Sequence, residues 1–152
     1  MIDDINIKEI IDVFQLYREL LLKAGIDEND VLPEELKEYF AGETPSGDRT
    51  TLKDVLSNRW LLLHEIVELK HLKIKGHKIS RNLVWEQYED VIEAHLAATA
   101  LELRMALEHN EVDWIKARIK LIPSWLEDSD MPERFRKACE TLIKHYTIET
   151  SL

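Results

Sequence analysis

The sequence predicts an all-α protein, an antiparallel helical bundle of five to six helices built around a long helix hairpin. Apolar residues recur every three or four positions along most of the 152 residues, which is the period of a helix with one buried face. Only four glycines and four prolines interrupt the chain, so we expect the helices to be long. A chain of this length is enough for one domain, residues 1–152, with one substantial core.

The first three helices are predicted over residues 6–24, 33–41 and 51–74. Asn6 with Glu9 makes a capping box at the first helix, and Gly25 is a natural stop after its end. The second helix has proline in its first turn and glycine after its end. A loop rich in glycine, serine and threonine follows over residues 42–50. The third helix begins near Thr51.

The later helices are predicted over residues 80–109 and 111–121, with a sixth that begins after residue 130. Ser80 can cap the fourth helix and Asn110 can end it. Pro123 is expected to stop the fifth helix, and Asp130 to cap the sixth. The connection between the third and fourth helices is short and centred near residues 76–77. Short connections make antiparallel neighbours, so these two helices form the hairpin.

Two pairs of acidic residues lie on this hairpin. Glu65 and Glu68 are three residues apart on the third helix, and Asp90 and Glu93 are three apart on the fourth. Residues at this spacing share one side of a helix. The predicted turn places Glu65 and Glu68 level with Asp90 and Glu86. The sequence therefore predicts that carboxylates from the two helices converge.

Converging carboxylates repel one another unless a hard cation lies among their oxygens. We therefore expect Mg²⁺ or Mn²⁺ as the cofactor, with Glu65, Glu68, Asp90 and Glu93 as metal ligands. His64 lies beside the first pair and is the candidate catalytic residue, as a proton acceptor or an extra ligand. The same residues would also suit the solvent-facing side of two amphipathic helices, and that alternative stays open.

A run of basic residues lies between the two acidic pairs. Lys73, Lys78 and Arg81 belong to it, and no acidic residue interrupts the run. It is the expected phosphate-binding segment if the substrate is a small phosphorylated molecule. The alternative is that lysines simply favour the C-terminal end of a helix because of its dipole.

A second polar position is predicted on the apolar side of the fourth helix. His95 and Glu102 lie there among valine, isoleucine and leucine. A buried charge needs a partner, so the two residues belong either to a satisfied hydrogen-bond network or to a ligand pocket or dimer contact.

Composition limits the class of partner and compartment. The formal net charge of −10 argues against general nucleic-acid binding, which needs a surplus of lysine and arginine. No apolar run approaches the ~18 residues that span a bilayer, so no membrane association is expected. The single cysteine, Cys139, suits a reducing compartment. No secretory signal is visible at the N-terminus, and we expect a cytoplasmic protein.

The acidic spacing resembles that of the all-α nucleoside triphosphate pyrophosphohydrolases, the MazG-like proteins. Glu65-Ile-Val-Glu68 matches the first acidic motif of that family, and Asp90-Val-Ile-Glu93 matches the second with its acids in reversed order. The resemblance covers about residues 51–107. It implies an all-α fold, Mg²⁺ at these acids, cleavage between the α and β phosphates of a nucleotide, and a dimer or tetramer.

Two functional hypotheses follow from the sequence. The first is a metal-dependent hydrolase of a nucleotide or other phosphoanhydride. The alternative is a non-catalytic helical oligomerisation or protein-interaction domain. Apolar helix surface and four tryptophans support a homo-oligomer in either case: Trp60, Trp85, Trp114 and Trp125.

Overall fold

The computed structural model describes residues 5–41 and 50–151. Every regular element in these ranges is a helix, and they contain no strand, which confirms the all-α class. Most of the loop predicted over residues 42–50 lies outside the described residues. The helices are α1 (Ile7–Leu16), α2 (Arg18–Lys23), α3 (Pro33–Tyr39), α4 (Leu52–Leu56), α5 (Arg59–Ile74), α6 (Leu83–Glu86), α7 (Tyr88–Glu108), α8 (Val112–Trp125) and α9 (Glu133–Thr150).

Three of the predicted helices are each divided into two. The first breaks at Tyr17 and the fourth at Gln87, where the backbone leaves helical geometry (φ −130°, ψ 50°). The third breaks after Ser57, because Asn58 is extended and its side chain accepts hydrogen bonds from the backbone N–H groups of Trp60 and Leu61. Asn58 therefore begins a new helix as an N-cap. These breaks explain why the described residues form more helices than the sequence predicted.

Several predicted helix ends are confirmed. Asn6 accepts a hydrogen bond from the backbone N–H of Glu9 (2.9 Å). Thr51 and Asp54 form a reciprocal capping box at the start of α4. Gly25 follows α2 with φ +84°, a left-handed conformation that glycine adopts without the steric cost of a Cβ.

Other predicted ends are wrong. α8 runs through Pro123 to Trp125, because proline removes only its own donor while its carbonyl still accepts from the backbone N–H of Leu126 (3.1 Å). α9 begins after Pro132 without a side-chain cap, so Asp130 is not its N-cap. The segment after Ser80 makes only the short α6 before α7 begins.

α5 and α7 make the most extensive contact between helices in the described structure. Side-chain contacts join residue 64 to 102, residue 68 to 95 and residue 75 to 90, so the two helices run antiparallel. The predicted register, with Glu68 level with Asp90 and Glu86, is wrong. Residues 76–87 do not extend either long helix, and this longer connection moves His95 to the level of Glu68.

The buried apolar side chains form one cluster to which residues from α1 through α9 contribute. α5 lies at its centre, and its buried residues point in all directions around the helix. α7 and α4 both pack against α5. α8 and α9 pack against each other and against α7. No described helix is long and apolar enough to cross a membrane.

A candidate metal centre between helices α5 and α7

A row of polar side chains lies within the apolar contact between α5 and α7. His64 and Glu68 on α5 are only 1% and 4% exposed, and Glu102 on α7 is fully buried. His95 on α7 is the outermost member, with 25% of its side chain exposed. The row therefore runs from the interior of the bundle towards its surface.

The inner end of the row is a carboxylate held by four donors. Glu102 Oε1 accepts from His64 Nδ1 (2.9 Å) and from Arg118 Nη2 (2.8 Å). Glu102 Oε2 accepts from Arg118 Nε (2.7 Å) and from the indole N–H of Trp114 (2.8 Å). Arg118 and Trp114 both come from α8, four residues apart. This bidentate, charge-assisted arrangement is among the strongest that proteins use.

Three ligand atoms converge at the middle of the row. His64 Nε2 lies 3.1 Å from His95 Nδ1, and His95 Nδ1 lies 3.0 Å from Glu68 Oε1. The third side of the triangle, from His64 Nε2 to Glu68 Oε1, is 3.5 Å. Among the described residues, one group of at least three side chains could hold a metal ion, because its ligand atoms all lie within 4.8 Å of one another. Its members are His64, Glu68 and His95.

Aromatic side chains fix the outer members of this triangle. The Tyr39 hydroxyl donates to Glu68 Oε2 (2.7 Å), so Glu68 turns only Oε1 towards the imidazoles. The ring of Trp125 packs edge-on against the ring of His95, with centroids 4.4 Å apart. Tyr39 ends α3 and Trp125 ends α8. The site therefore depends on four helices.

Electrostatics in the row favour a positive charge at its centre. Burial opposes protonation of His64, but the hydrogen bonds to Glu102 and Glu68 outweigh it and raise the pKa of His64 to about 10. Burial would raise the pKa of Glu68, but its contacts with His64 and His95 lower that pKa instead. The pKa of Glu102 is lowered against its burial by His64 and Arg118. Both carboxylates are therefore ionised.

The charges of these groups call for a positive charge at the centre. Glu68 and Glu102 contribute two negative charges, and Arg118 contributes one positive charge. Protonated His64 balances the remaining negative charge, and the charge of nearby Glu65 is additional. A divalent ion in place of that proton would balance Glu65 as well. Because a buried uncompensated charge is costly, the triangle of His64, Glu68 and His95 favours a cation, which is either a proton or a metal ion.

The dimensions of the triangle are close to those around a tetrahedral ion. Zinc binds nitrogen and oxygen ligands at ~2.0–2.2 Å, which places neighbouring ligand atoms of a tetrahedron about 3.3–3.6 Å apart. The side from His64 Nε2 to Glu68 Oε1 is 3.5 Å, which lies in this range and is long for a hydrogen bond. The other two sides, 3.0 and 3.1 Å, are shorter and have hydrogen-bond lengths. Two imidazoles and one carboxylate are also a known catalytic zinc set.

When His64 is protonated on both nitrogens, protons satisfy the triangle less completely than an ion would. If His64 Nε2–H donates to His95 Nδ1, the lone pair of that same Nδ1 faces the Glu68 carboxylate at 3.0 Å. If His95 Nδ1–H donates to Glu68 instead, it meets the N–H of His64 at 3.1 Å. When His64 is neutral and carries its proton on Nδ1, His95 Nδ1–H can donate to both Glu68 Oε1 and His64 Nε2, and all three atoms are satisfied. An ion accepts all three lone pairs at once.

The structure brings together some of the residues predicted from sequence and separates others. Glu68 is in the triangle, and Glu65 is buried one residue after His64, where its charge helps to raise the pKa of His64. Asp90 contacts His77 Nε2 (2.7 Å) and Lys75 Nζ (3.3 Å), and Glu93 also contacts Lys75. The two acidic pairs do not form a shared group of ligand atoms, because α7 is shifted along α5 as described above.

Two of the three predicted phosphate-binding residues contact α3. Lys73 Nζ donates to Glu35 (2.7 Å) and to the backbone carbonyl of Asp30 (2.8 Å). Arg81 Nε donates to Glu38 (3.0 Å), and Lys78 is exposed. Two of the three side chains are therefore held by acidic residues of α3.

The predicted polar position at His95 and Glu102 is part of a hydrogen-bond network, but the two residues are joined through His64 rather than directly. Sequence reasoning missed Tyr39, Trp114 and Arg118. A signal was present for Arg118, because it is buried between Ile115 and Ile122 on the apolar stripe of α8. A buried arginine there requires an acidic partner.

No protein-family model, curated protein or solved structure that was compared with the chain matches it. The chemistry of the site therefore rests on its own residues and their geometry.

Proposed function

We propose that this protein is a metal-dependent hydrolase whose ion is held by His64, Glu68 and His95. The observation that supports the proposal is the triangle of ligand atoms with sides of 3.0, 3.1 and 3.5 Å. Three protein ligands leave the fourth position of a tetrahedral ion open, which is the arrangement of catalytic rather than structural sites. His95 is the proposed ligand that reaches solvent, with 25% of its side chain exposed.

The donor set favours zinc or a similar transition metal over the Mg²⁺ or Mn²⁺ expected from sequence. Magnesium prefers oxygen ligands in an octahedron and keeps several waters. The triangle offers two nitrogens and one oxygen in a largely dry site, which suits zinc and its neighbours. Such an ion, when bound, supplies the Lewis acidity that makes water a nucleophile near neutral pH.

The first experiment measures metal binding. Protein stripped with a chelator is titrated calorimetrically with Zn²⁺ and with Co²⁺, and we expect one ion per chain. His95→Phe and Glu68→Ala each remove one ligand atom and should abolish binding. Asp90→Asn is the control, since Asp90 lies outside the triangle, and it should bind like the wild type. The proposal is rejected if wild type binds no ion, or if Asp90→Asn loses binding as fully as His95→Phe.

The proposed substrate class is a nucleotide or other phosphoanhydride. The position of Arg81 supports this class. Arg81 contacts Glu38, and the next residue, Tyr39, contacts the proposed ligand Glu68. Arg81 and Lys73, which contact Glu38 and Glu35, thus lie on the α3 side of the ion site.

The second experiment measures hydrolysis in zinc-loaded protein. We expect release of phosphate or pyrophosphate from nucleoside triphosphates, abolished by His95→Phe. Arg81→Gln should raise KM with little change in kcat, whereas Arg134→Gln, on a distant exposed pair with Glu89, should change neither. Zinc binding without any such release would reject the substrate class and leave the metal site standing.

Self-association is the second candidate, whether or not the protein is an enzyme. Ile11, Leu22 and Leu32 are exposed apolar side chains that line one groove with Phe14. Among the tryptophans, Trp60 is buried and only Trp85 is largely exposed, while Trp114 and Trp125 belong to the candidate site. Light scattering should show an oligomer that Leu22→Glu dissociates. A monomeric wild type would reject this candidate.

A further inference from the structure

We propose that Glu102 is a positioning residue that makes His64 a metal ligand. The Glu102 carboxylate accepts a hydrogen bond from His64 Nδ1–H, which keeps the proton on Nδ1 and leaves the lone pair of Nε2 free to bind the ion. This inference rests on the proposed metal site and deepens it. It assigns a role to α8 as well, because α8 holds Glu102 in place.

The hydrogen bonds of Glu102 fix the tautomer of His64. Each carboxylate oxygen has two donors, and three of the four come from Arg118 and Trp114. A guanidinium and an indole can donate but cannot accept. The fourth atom in donor position around the carboxylate is His64 Nδ1, which lies 2.9 Å from Oε1. An ionised carboxylate accepts only, so Nδ1 must carry a proton in the metal-bound state.

The arrangement is fixed by burial as well as by hydrogen bonds. Glu102 is fully buried, His64 is 1% exposed and Arg118 is 9% exposed, so water does not compete for these contacts. They join α5, α7 and α8. Metal-bound histidines generally donate their second nitrogen to a carboxylate, which fixes the ring and raises its basicity. Glu102 has the geometry for this role.

Replacing Glu102 by glutamine should reverse the tautomer. The amide has a single acceptor oxygen, and the position of Oε2 faces two donors that cannot change, Arg118 Nε and Trp114 Nε1. The position of Oε1 faces one such donor, Arg118 Nη2, besides His64 Nδ1. With the oxygen at the Oε2 position, the amide NH₂ opposes Arg118 Nη2 and faces His64 Nδ1, which must then accept. The proton moves to Nε2 and blocks the ligand atom, as the wrong tautomer does in other histidine-dependent sites.

The experiment compares ¹¹³Cd-loaded wild type, Glu102→Gln and Glu89→Gln by NMR and by metal titration. In wild type, His64 Nε2 should show coupling to cadmium and Nδ1 should carry a slowly exchanging proton. Glu102→Gln should weaken binding by about 10–100-fold and lose that proton. Glu89→Gln is the matched control on the same helix, because Glu89 is exposed and contacts Arg134 outside the site, so its affinity and tautomer should stay close to those of wild type.

The outcomes separate this inference from the metal site itself. If wild type binds neither cadmium nor zinc, the proposed metal site fails and this inference fails with it. If wild type binds through Nδ1 of His64, or if Glu102→Gln keeps full affinity and the Nδ1 proton, only the role of Glu102 is overturned. The wild-type spectrum decides the point even if Glu102→Gln does not fold.

Discussion

Replacing Arg118 by methionine should destabilise the protein strongly. Arg118 makes two hydrogen bonds to Glu102, a carboxylate that is fully buried. Methionine keeps much of the volume of arginine but removes its positive charge, so the buried Glu102 carboxylate loses its guanidinium partner. Breaking a buried ion pair from one side costs about 3–5 kcal/mol. We expect about 3 kcal/mol, the lower end, because His64, with its pKa raised to about 10, still pairs with Glu102.

Urea unfolding of chelator-treated protein measures this loss without a contribution from bound metal. A loss of 3 kcal/mol corresponds to a fall of roughly 6–12 °C in Tm for a chain of this size. The matched control is Arg18→Met, because the pair of Arg18 with Glu28 is exposed (61% and 74% of the side chains). Exposed pairs contribute at most about 1 kcal/mol. Equal losses in the two variants, or a loss below about 1 kcal/mol for Arg118→Met, would refute the reasoning.

Three further predictions concern the helices that hold the site. Asn58→Ala removes the N-cap of α5 and should cost about 0.5–2 kcal/mol of unfolding free energy in urea, whereas Asn58→Gly should cost only a few tenths. Leu63→Ala should cost about 2–5 kcal/mol by the same measurement, because Leu63 is fully buried beside His64. The hydrogen bond from His77, followed by the contact with Lys75, lowers the pKa of Asp90. The stabilisation from these contacts of ionised Asp90 is therefore present above the unfolded pKa of about 3.9, and it is lost as the pH falls through the lower pKa of the folded state. When Tm is measured against pH, it should fall less steeply at acid pH in Asp90→Asn than in wild type. Equal slopes in the two proteins would contradict this.

The sequence was sufficient for the fold class and for many helix ends, because these depend on local chemistry. Apolar periodicity and a few caps, such as Asn6 and Thr51, are properties of neighbouring residues. The interruptions at Tyr17 and Gln87 were not predictable in this way. Neither position has a strong breaker, and a break there depends on how the flanking helices pack.

The site was harder to predict because it depends on the register between helices. The residues 64, 68, 95 and 102 were each singled out from the sequence. Which of them meet is decided by the length of the connection over residues 76–87, and one extra short helix, α6, moves the contact along α7. The contribution of α8 was also out of reach, because Arg118 approaches Glu102 only through tertiary packing.

The gradient of burial along the polar row is the strongest argument that it serves more than stability. A network of this size costs desolvation, and apolar side chains of similar volume would often stabilise the bundle as well or better. A purely structural network also needs no access to water, yet this one runs from fully buried Glu102 to partly exposed His95. The inner groups hold His64 rigidly, and the outer group reaches solvent. Rigid support behind His64, with a partly exposed histidine in front of it, is the arrangement that the proposed metal site requires.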